Sequence, residues 1–172
     1  NWPIVGEFEV ASAIAFDLLH RVLKANGYEV VFAKNFTDID DKIIKKMKEE
    51  GKSLEEITTF YIKNYKNDME ILNILPNSFE PKATENLDAM KEMIENLLSK
   101  DIAYKTDDSV YFDVSKDKNY GSLSNQASDE NSQARVEINN QKRNSSDFAL
   151  WKFEKASDVS FASNFGAGRP GW

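Results

Sequence analysis

Glu29-Val-Val-Phe-Ala-Lys34 runs without a break into Asn35-Phe-Thr-Asp-Ile-Asp-Asp-Lys42. The first six residues are rich in β-branched and aromatic side chains, and they predict a short buried strand. Upstream, residues 10–26 predict a helix. Ile14, Leu18, Val22 and Ala25 share one face of it, with Leu19 and Leu23 beside them, and Asn26-Gly27 is a stop that suits the left-handed backbone of a helix end. A helix followed tightly by a buried strand predicts an α/β unit with a parallel sheet. In such sheets ligands bind at the carboxyl ends of the strands. That is where the hydroxyl of Thr37 and the carboxylates of Asp38, Asp40 and Asp41 fall.

Those carboxylates also sit where a second helix should begin, near Asp38, on its way to Glu50. Thr37 and Asp40 have capping-box spacing, with Asp in place of the usual Glu. Spacing alone favours capping and complementing the helix dipole over ligand binding. A Ca²⁺ loop does not fit, because its central Gly and downstream Glu are not at their required offsets.

Further along, Gly51 ends that helix, and Ser53 with Glu56 forms a capping box for a third. Leu54, Ile57, Tyr61, Tyr65, Met69 and Leu72 mark its apolar face, so Phe60, Tyr61 and Tyr65 read as packing rather than a base-stacking platform. Pro76-Asn77 closes this region. A fourth helix is predicted over 81–100, with Pro81 in its first turn and Leu87, Met90, Ile94, Leu97 and Leu98 facing a core. Residues 103–105 and 110–114 then predict a hairpin around the turn 106–109. A long polar loop is expected over 115–146, with a short strand at 134–138, and another strand at 148–153. Gly166 to Trp172 reads as turn chemistry in a surface loop, not as a nucleotide-binding fingerprint. Trp172 fits a surface loop poorly, since a large aromatic gains most when buried, and this suggests that the native chain continues.

Composition bounds the chemistry. The chain has 172 residues, 41% hydrophobic and 30% charged, which suits one domain or one domain with an insertion. No apolar run approaches the ~20 residues of a membrane span, and the start lacks signal-peptide character, so cytoplasmic residence is expected. The absence of cysteine removes disulfides and thiolate metal sites from this chain. His20 is the single histidine, so no metal ligand set is expected here and no catalytic residue is identified. A Ser-His-Asp triad would depend wholly on this residue, which falls inside a helical pattern and reads as structural. The net charge of −7 does not favour broad electrostatic binding to nucleic acid. Lys42, Lys45, Lys46 and Lys48 cluster, and so do Lys142 and Arg143. With Asp147 nearby, Lys142-Arg143 reads as a solvated loop pair rather than a phosphate site.

Asn35 to Ile44 resembles a segment of cysteine–tRNA ligases, a class I aminoacyl-tRNA synthetase family. Matches follow in the same order: 69–76, 80–85, 110–115, 120–124, 134–137, Lys142-Arg143 with 147–152, and 166–172. The resemblance covers nearly everything from Ser12 onward. It implies a partial Rossmann-type catalytic domain with an inserted helical and β-hairpin connective segment. Residues 1–52 would open the catalytic domain (1–10 being atypical), 53–146 would include the insertion, and 147–172 would return to the catalytic domain. It implies activation of cysteine with ATP and transfer to tRNA(Cys), with Thr37 and Trp172 lining the cysteine pocket, zinc selecting the substrate thiolate, and a monomer. A family that joins cysteine to a sugar amine in mycothiol synthesis shares the fold and some motifs, and is the nearest alternative.

The departures are as specific as the matches. The family's His-Ile-Gly-His motif for ATP should fall on Gly6-Glu7-Phe8-Glu9, which holds no histidine and two carboxylates. The zinc cysteines and the Lys-Met-Ser-Lys-Ser loop are not in this sequence. The expectation is therefore a piece of a longer enzyme, inactive by itself, with a non-catalytic or tRNA-binding fragment as the other reading.

Overall fold

The computed structural model describes residues 7–123, 141–155 and 159–171, with the backbone alone for 7–9. The chain divides into two compact units, Asn1–Asn86 and Leu87–Trp172. The strand expected at 134–138 lies outside the described residues.

The first unit is built on three helices: α1 (Glu7–Ala25), α2 (Asp41–Glu50) and α3 (Leu54–Ile71). Helix α3 carries the expected capping box, with Ser53 and Glu56 serving each other's backbone amides. Gly51 closes α2 at φ 63°, a left-handed conformation that glycine adopts without steric cost. The cap at the start of α2 differs from the expectation. Asp40, not Thr37, is the N-cap, and its carboxylate accepts the Ile43 amide at 2.8 Å. The reason lies just upstream. Phe36 is still held extended, donating its N–H to Pro81 and accepting from Ala83, so the helix cannot begin at Thr37 or Asp38.

Glu29–Lys34 does not form a strand of a parallel sheet. It is extended chain in which Ala33 makes an isolated parallel bridge with Phe79, and just beyond it Phe36 bridges Lys82. The apolar run suggested burial on both faces, yet only one face is covered here, and Val31 is 65% exposed. The same pairing delays the next helix. Pro81–Ala83 is engaged with Phe36, so a short 3₁₀ turn (Thr84–Asn86) precedes α4, which starts at Leu87 rather than Pro81.

Helix α1 turns its predicted core face outward. Ile14, Leu18, Leu19 and Val22 are exposed, while Ala13 and His20 on the other side are buried. Ala13 packs with Met69, Val10, Tyr65 and Ile74. Phe60 on α3, read as packing, is exposed as well.

The second unit holds α4 (Leu87–Ser99) and one antiparallel sheet in the order β1 (Ala103–Lys105), β2 (Ser109–Phe112), β3 (Phe148–Phe153), β4 (Gly168–Pro170). Ile94 of α4 meets Ala103, Val110, Trp151 and Phe165 in its core, with Val110 and Trp151 fully buried. Full burial of such side chains stabilises by roughly 1.5–3 kcal/mol each. The predicted hairpin is present, its turn shut by the Thr106 amide on the Ser109 carbonyl at 2.9 Å.

The glycine-rich end is not a surface loop. Gly168–Pro170 is buried and pairs with β3, Trp151 opposite Pro170 and Phe153 opposite Gly168. A β-carbon at Gly168 would stand 2.2 Å from the Lys152 carbonyl oxygen and 2.6 Å from the indole nitrogen of Trp151. Glycine there serves close approach, not a turn. On the outer side Phe161 pairs with Gly168 through both backbone groups.

Candidate functional site

The turn after Lys34 separates the residues that sequence grouped together. Asp38 is buried. One of its oxygens accepts the Thr84 amide at 2.9 Å and the other accepts the Thr84 hydroxyl at 2.5 Å. Asp40 caps α2, and Asp41 lies in that helix's first turn, where a carboxylate complements the dipole. Two of the three acids are thus committed to holding the turn in shape. Thr37, between the Phe36 bridge and the Asp38 clamp, is exposed, and its hydroxyl can both donate and accept. Trp172 lies outside the described residues.

A cavity of about 720 Å³ opens in the same unit, walled by α1, residues 32–35 and the end of α3 with the turn that follows. His20, 7% exposed, lines it and stacks on Phe32 with ring centroids 5.7 Å apart. This agrees with the structural role expected of that histidine. Asp17 accepts from Nε of Arg21 at 2.7 Å and from the Leu75 amide at 2.9 Å. Burial works to raise its pKa, but the hydrogen bonds from Arg21 and Leu75 and the Arg21 charge outweigh it and hold the carboxyl below its usual range. The cavity's cations are engaged too. Lys34 donates to the Tyr65 hydroxyl at 2.6 Å, and Lys66 pairs with Glu80. No motif announced this cavity. Its one trace in the sequence is the spacing of Ala13, Asp17 and His20, which puts small and polar residues on the face opposite the apolar stripe.

In the second unit the organising acid is Asp147, 1% exposed. It accepts from the Tyr104 hydroxyl at 2.7 Å, the Val114 amide at 3.0 Å and the Asn144 amide at 3.0 Å. The Tyr104 oxygen in turn accepts the Arg143 amide at 2.8 Å. Burial, then the bond to Asp147, pushes the Tyr104 phenol up to about 12. Arg143 lays its guanidinium 4.1 Å from the centre of the Tyr104 ring and reaches Asp113 at 3.5 Å. Lys142 lies 5.9 Å from the Tyr111 ring centre. The basic pair therefore covers aromatic faces, and its acidic neighbour is Asp113 rather than Asp147. Hydrogen bonds from Ser115 hold the Asp113 pKa below its ordinary value, against the opposing effect of burial.

Among the described residues no group of three His, Asp or Glu side chains is placed to hold a metal ion. With one imidazole and no thiol in the chain, the donor set does not fit zinc. No helix among them is long and apolar enough to cross a membrane.

Comparison with known proteins adds the following. A family model described as tRNA synthetases class I (C) catalytic domain matches residues 6–172. A protein named cysteine–tRNA ligase from Aliarcobacter butzleri is 73% identical over 161 residues, which is 94% of this chain and 34% of that protein. Proteins of the same name from a Nitratiruptor species and a Sulfurovum species are 60% and 56% identical over 163 residues, each match covering 94% of this chain and 35% of the relative. The chain spans about a third of the length of the curated relatives it matches.

Proposed function

The chain belongs to the family of class I (C) tRNA synthetase catalytic domains, and on that premise we propose that it is part of a cysteine–tRNA ligase, which activates cysteine with ATP and transfers it to tRNA in the cytoplasm. The observation that carries this is the family match across residues 6–172 together with relatives of a single name at 56–73% identity. Those relatives do not favour the mycothiol ligase or a merely RNA-binding fragment.

In this reading residues 1–52 open the catalytic domain, 53–146 contain the connective insertion, and 147–172 lead back. Thr37 and Trp172 line the cysteine pocket. The exposed Thr37 hydroxyl supports its part in this, since the acids on either side are already bonded elsewhere. Class I chemistry asks little covalent work of side chains and much positioning of donors around the α-phosphate. Residues of this stretch that hold the strand-end turn rigid serve such positioning. ATP supplies the leaving pyrophosphate, and zinc would hold the substrate sulfur. Among the described residues no group of donors is placed for zinc. The carboxylates at Glu7 and Glu9 would repel phosphate.

The test is a graft. Residues 11–172 replace the matching stretch of the Aliarcobacter butzleri ligase, and cysteine-dependent ATP–pyrophosphate exchange is measured. The chimera is expected to exchange, and the 172-residue chain alone is not. A folded chimera without exchange would overturn the reading.

A further inference from the structure

Asn26-Gly27 is the one Asn-Gly pair in the sequence. It lies in the exposed turn that ends α1. In such a pair the glycine nitrogen can approach the asparagine side chain with no β-carbon in the way. The pair is therefore a chemical site as well as a helix stop.

The turn is closed by hydrogen bonds that involve both residues. The Tyr28 amide donates to the Leu23 carbonyl at 3.1 Å, and the Gly27 amide donates to the Lys24 carbonyl at 3.0 Å. Gly27 stands at φ 85°, and no atom lies within 4 Å of where a β-carbon would sit, so the backbone rather than crowding asks for glycine. The Asn26 side chain is turned back along α1. Its Nδ2 donates to the Val22 carbonyl at 2.8 Å, on the same oxygen that accepts the Asn26 amide at 3.1 Å.

We propose that Asn26-Gly27 is a deamidation site held shut by the end of α1. In the reaction the Gly27 nitrogen gives up its proton and attacks Cγ of Asn26. A C–N bond forms, the Cγ–Nδ2 bond breaks, and ammonia leaves with that proton, so that a five-membered succinimide remains. Water then opens the ring at one carbonyl or the other and gives aspartate or isoaspartate. In the closed turn the Gly27 proton is bonded to Lys24 and the Asn26 amide to Val22, which keeps nucleophile and carbonyl from lining up. The pair reacts when the last turn frays, and helix ends open at little free energy. The product then keeps the turn open. A carboxylate at position 26 has no proton for the Val22 carbonyl and stands at the negative end of the helix dipole. Isoaspartate also lengthens the backbone through the turn. A passing opening thus becomes a permanent change, and the site records time spent frayed.

Mass spectrometry of the tryptic peptide 25–34 follows the reaction in the 172-residue chain, folded and in urea, beside a synthetic peptide of residues 22–30. The peptide and the unfolded chain should react alike, and the folded chain roughly 10-fold more slowly or better. Ala25→Gly leaves the reacting pair intact but weakens the last turn, and it should speed the folded chain about fivefold with its circular dichroism otherwise unchanged. Asn26→Asp, which is one of the products, should speed amide hydrogen exchange at Gly27 and Tyr28 about two- to fivefold. A folded chain that deamidates as fast as the peptide would overturn the proposal. So would a slow folded chain that Ala25→Gly does not speed, since the turn would not be the brake. Unchanged exchange in Asn26→Asp would show that the product does not hold the turn open.

Discussion

The two units solve the same problem unequally. In the second, α4 and four strands bury Trp151 and Val110 completely, and the polar Asp147 is fully bonded. In the first, the longest helix leaves most of its large apolar side chains in water, and its buried face carries a histidine and a salt-bridged aspartate. The second unit closes its core within its own residues. The first leaves the apolar stripe of α1 open. Apolar content does not explain the difference, since the first unit is the richer of the two in sequence. What differs is whether the apolar side chains of the helix meet others within the same unit.

Substitutions can break or sharpen that contrast. The largest effect is expected for Trp151→Ala, which removes a fully buried side chain from the second unit's core and should cost about 3–5 kcal/mol in urea unfolding followed by near-ultraviolet dichroism. A loss below about 1 kcal/mol would mean the core is not closed. Asp147→Ala strands the Tyr104 hydroxyl and two amides, and about 3 kcal/mol should go in the same measurement. Titration adds an independent handle on that network. The folded Tyr104 phenol titrates at about 12, above its ordinary 10.0. Its contribution is therefore whole below pH 10.0 and lost as pH rises towards about 12, so alkaline unfolding of the second unit should fall in that window and shift in Tyr104→Phe.

In the first unit, Asp40→Ala deletes the α2 cap and should cost about 1 kcal/mol, read from helical dichroism on thermal unfolding. Leu18→Ser is the smallest. At 63% exposure it should change stability of the isolated chain by less than about 0.5 kcal/mol. A loss several times larger would show that the stripe is already packed, and the contrast between the units would collapse.

How much was legible varies with the range of the interactions involved. The Ser53–Glu56 box, the Gly51 stop, the hairpin and the 148–153 strand are local, and each reads straight from spacing. Three of the differences share one cause. The start of α2, the start of α4 and the fate of 29–34 are set by pairing of residues 32–36 with residues 78–83, far along the chain, and no periodicity encodes that contact. Gly168–Pro170 misled for a related reason. Glycine and proline signal turns, yet here one admits an indole and a carbonyl at close range and the other sits in an edge strand. Of the candidate site, a turn carrying Thr37 directly after the 29–34 run was legible. The division of labour among Asp38, Asp40 and Thr37 was not, because Asp38 takes its partner from residue 84.

That last strand has a consequence for how the molecule behaves in a crowd. On the outward side of β4, Gly168 already exchanges both backbone groups with Phe161, and Pro170 has no N–H to offer. A stray strand arriving there finds no donor to zip onto, so growth of the sheet stops at its own margin. Any tendency of the isolated chain to cluster should accordingly begin away from β4.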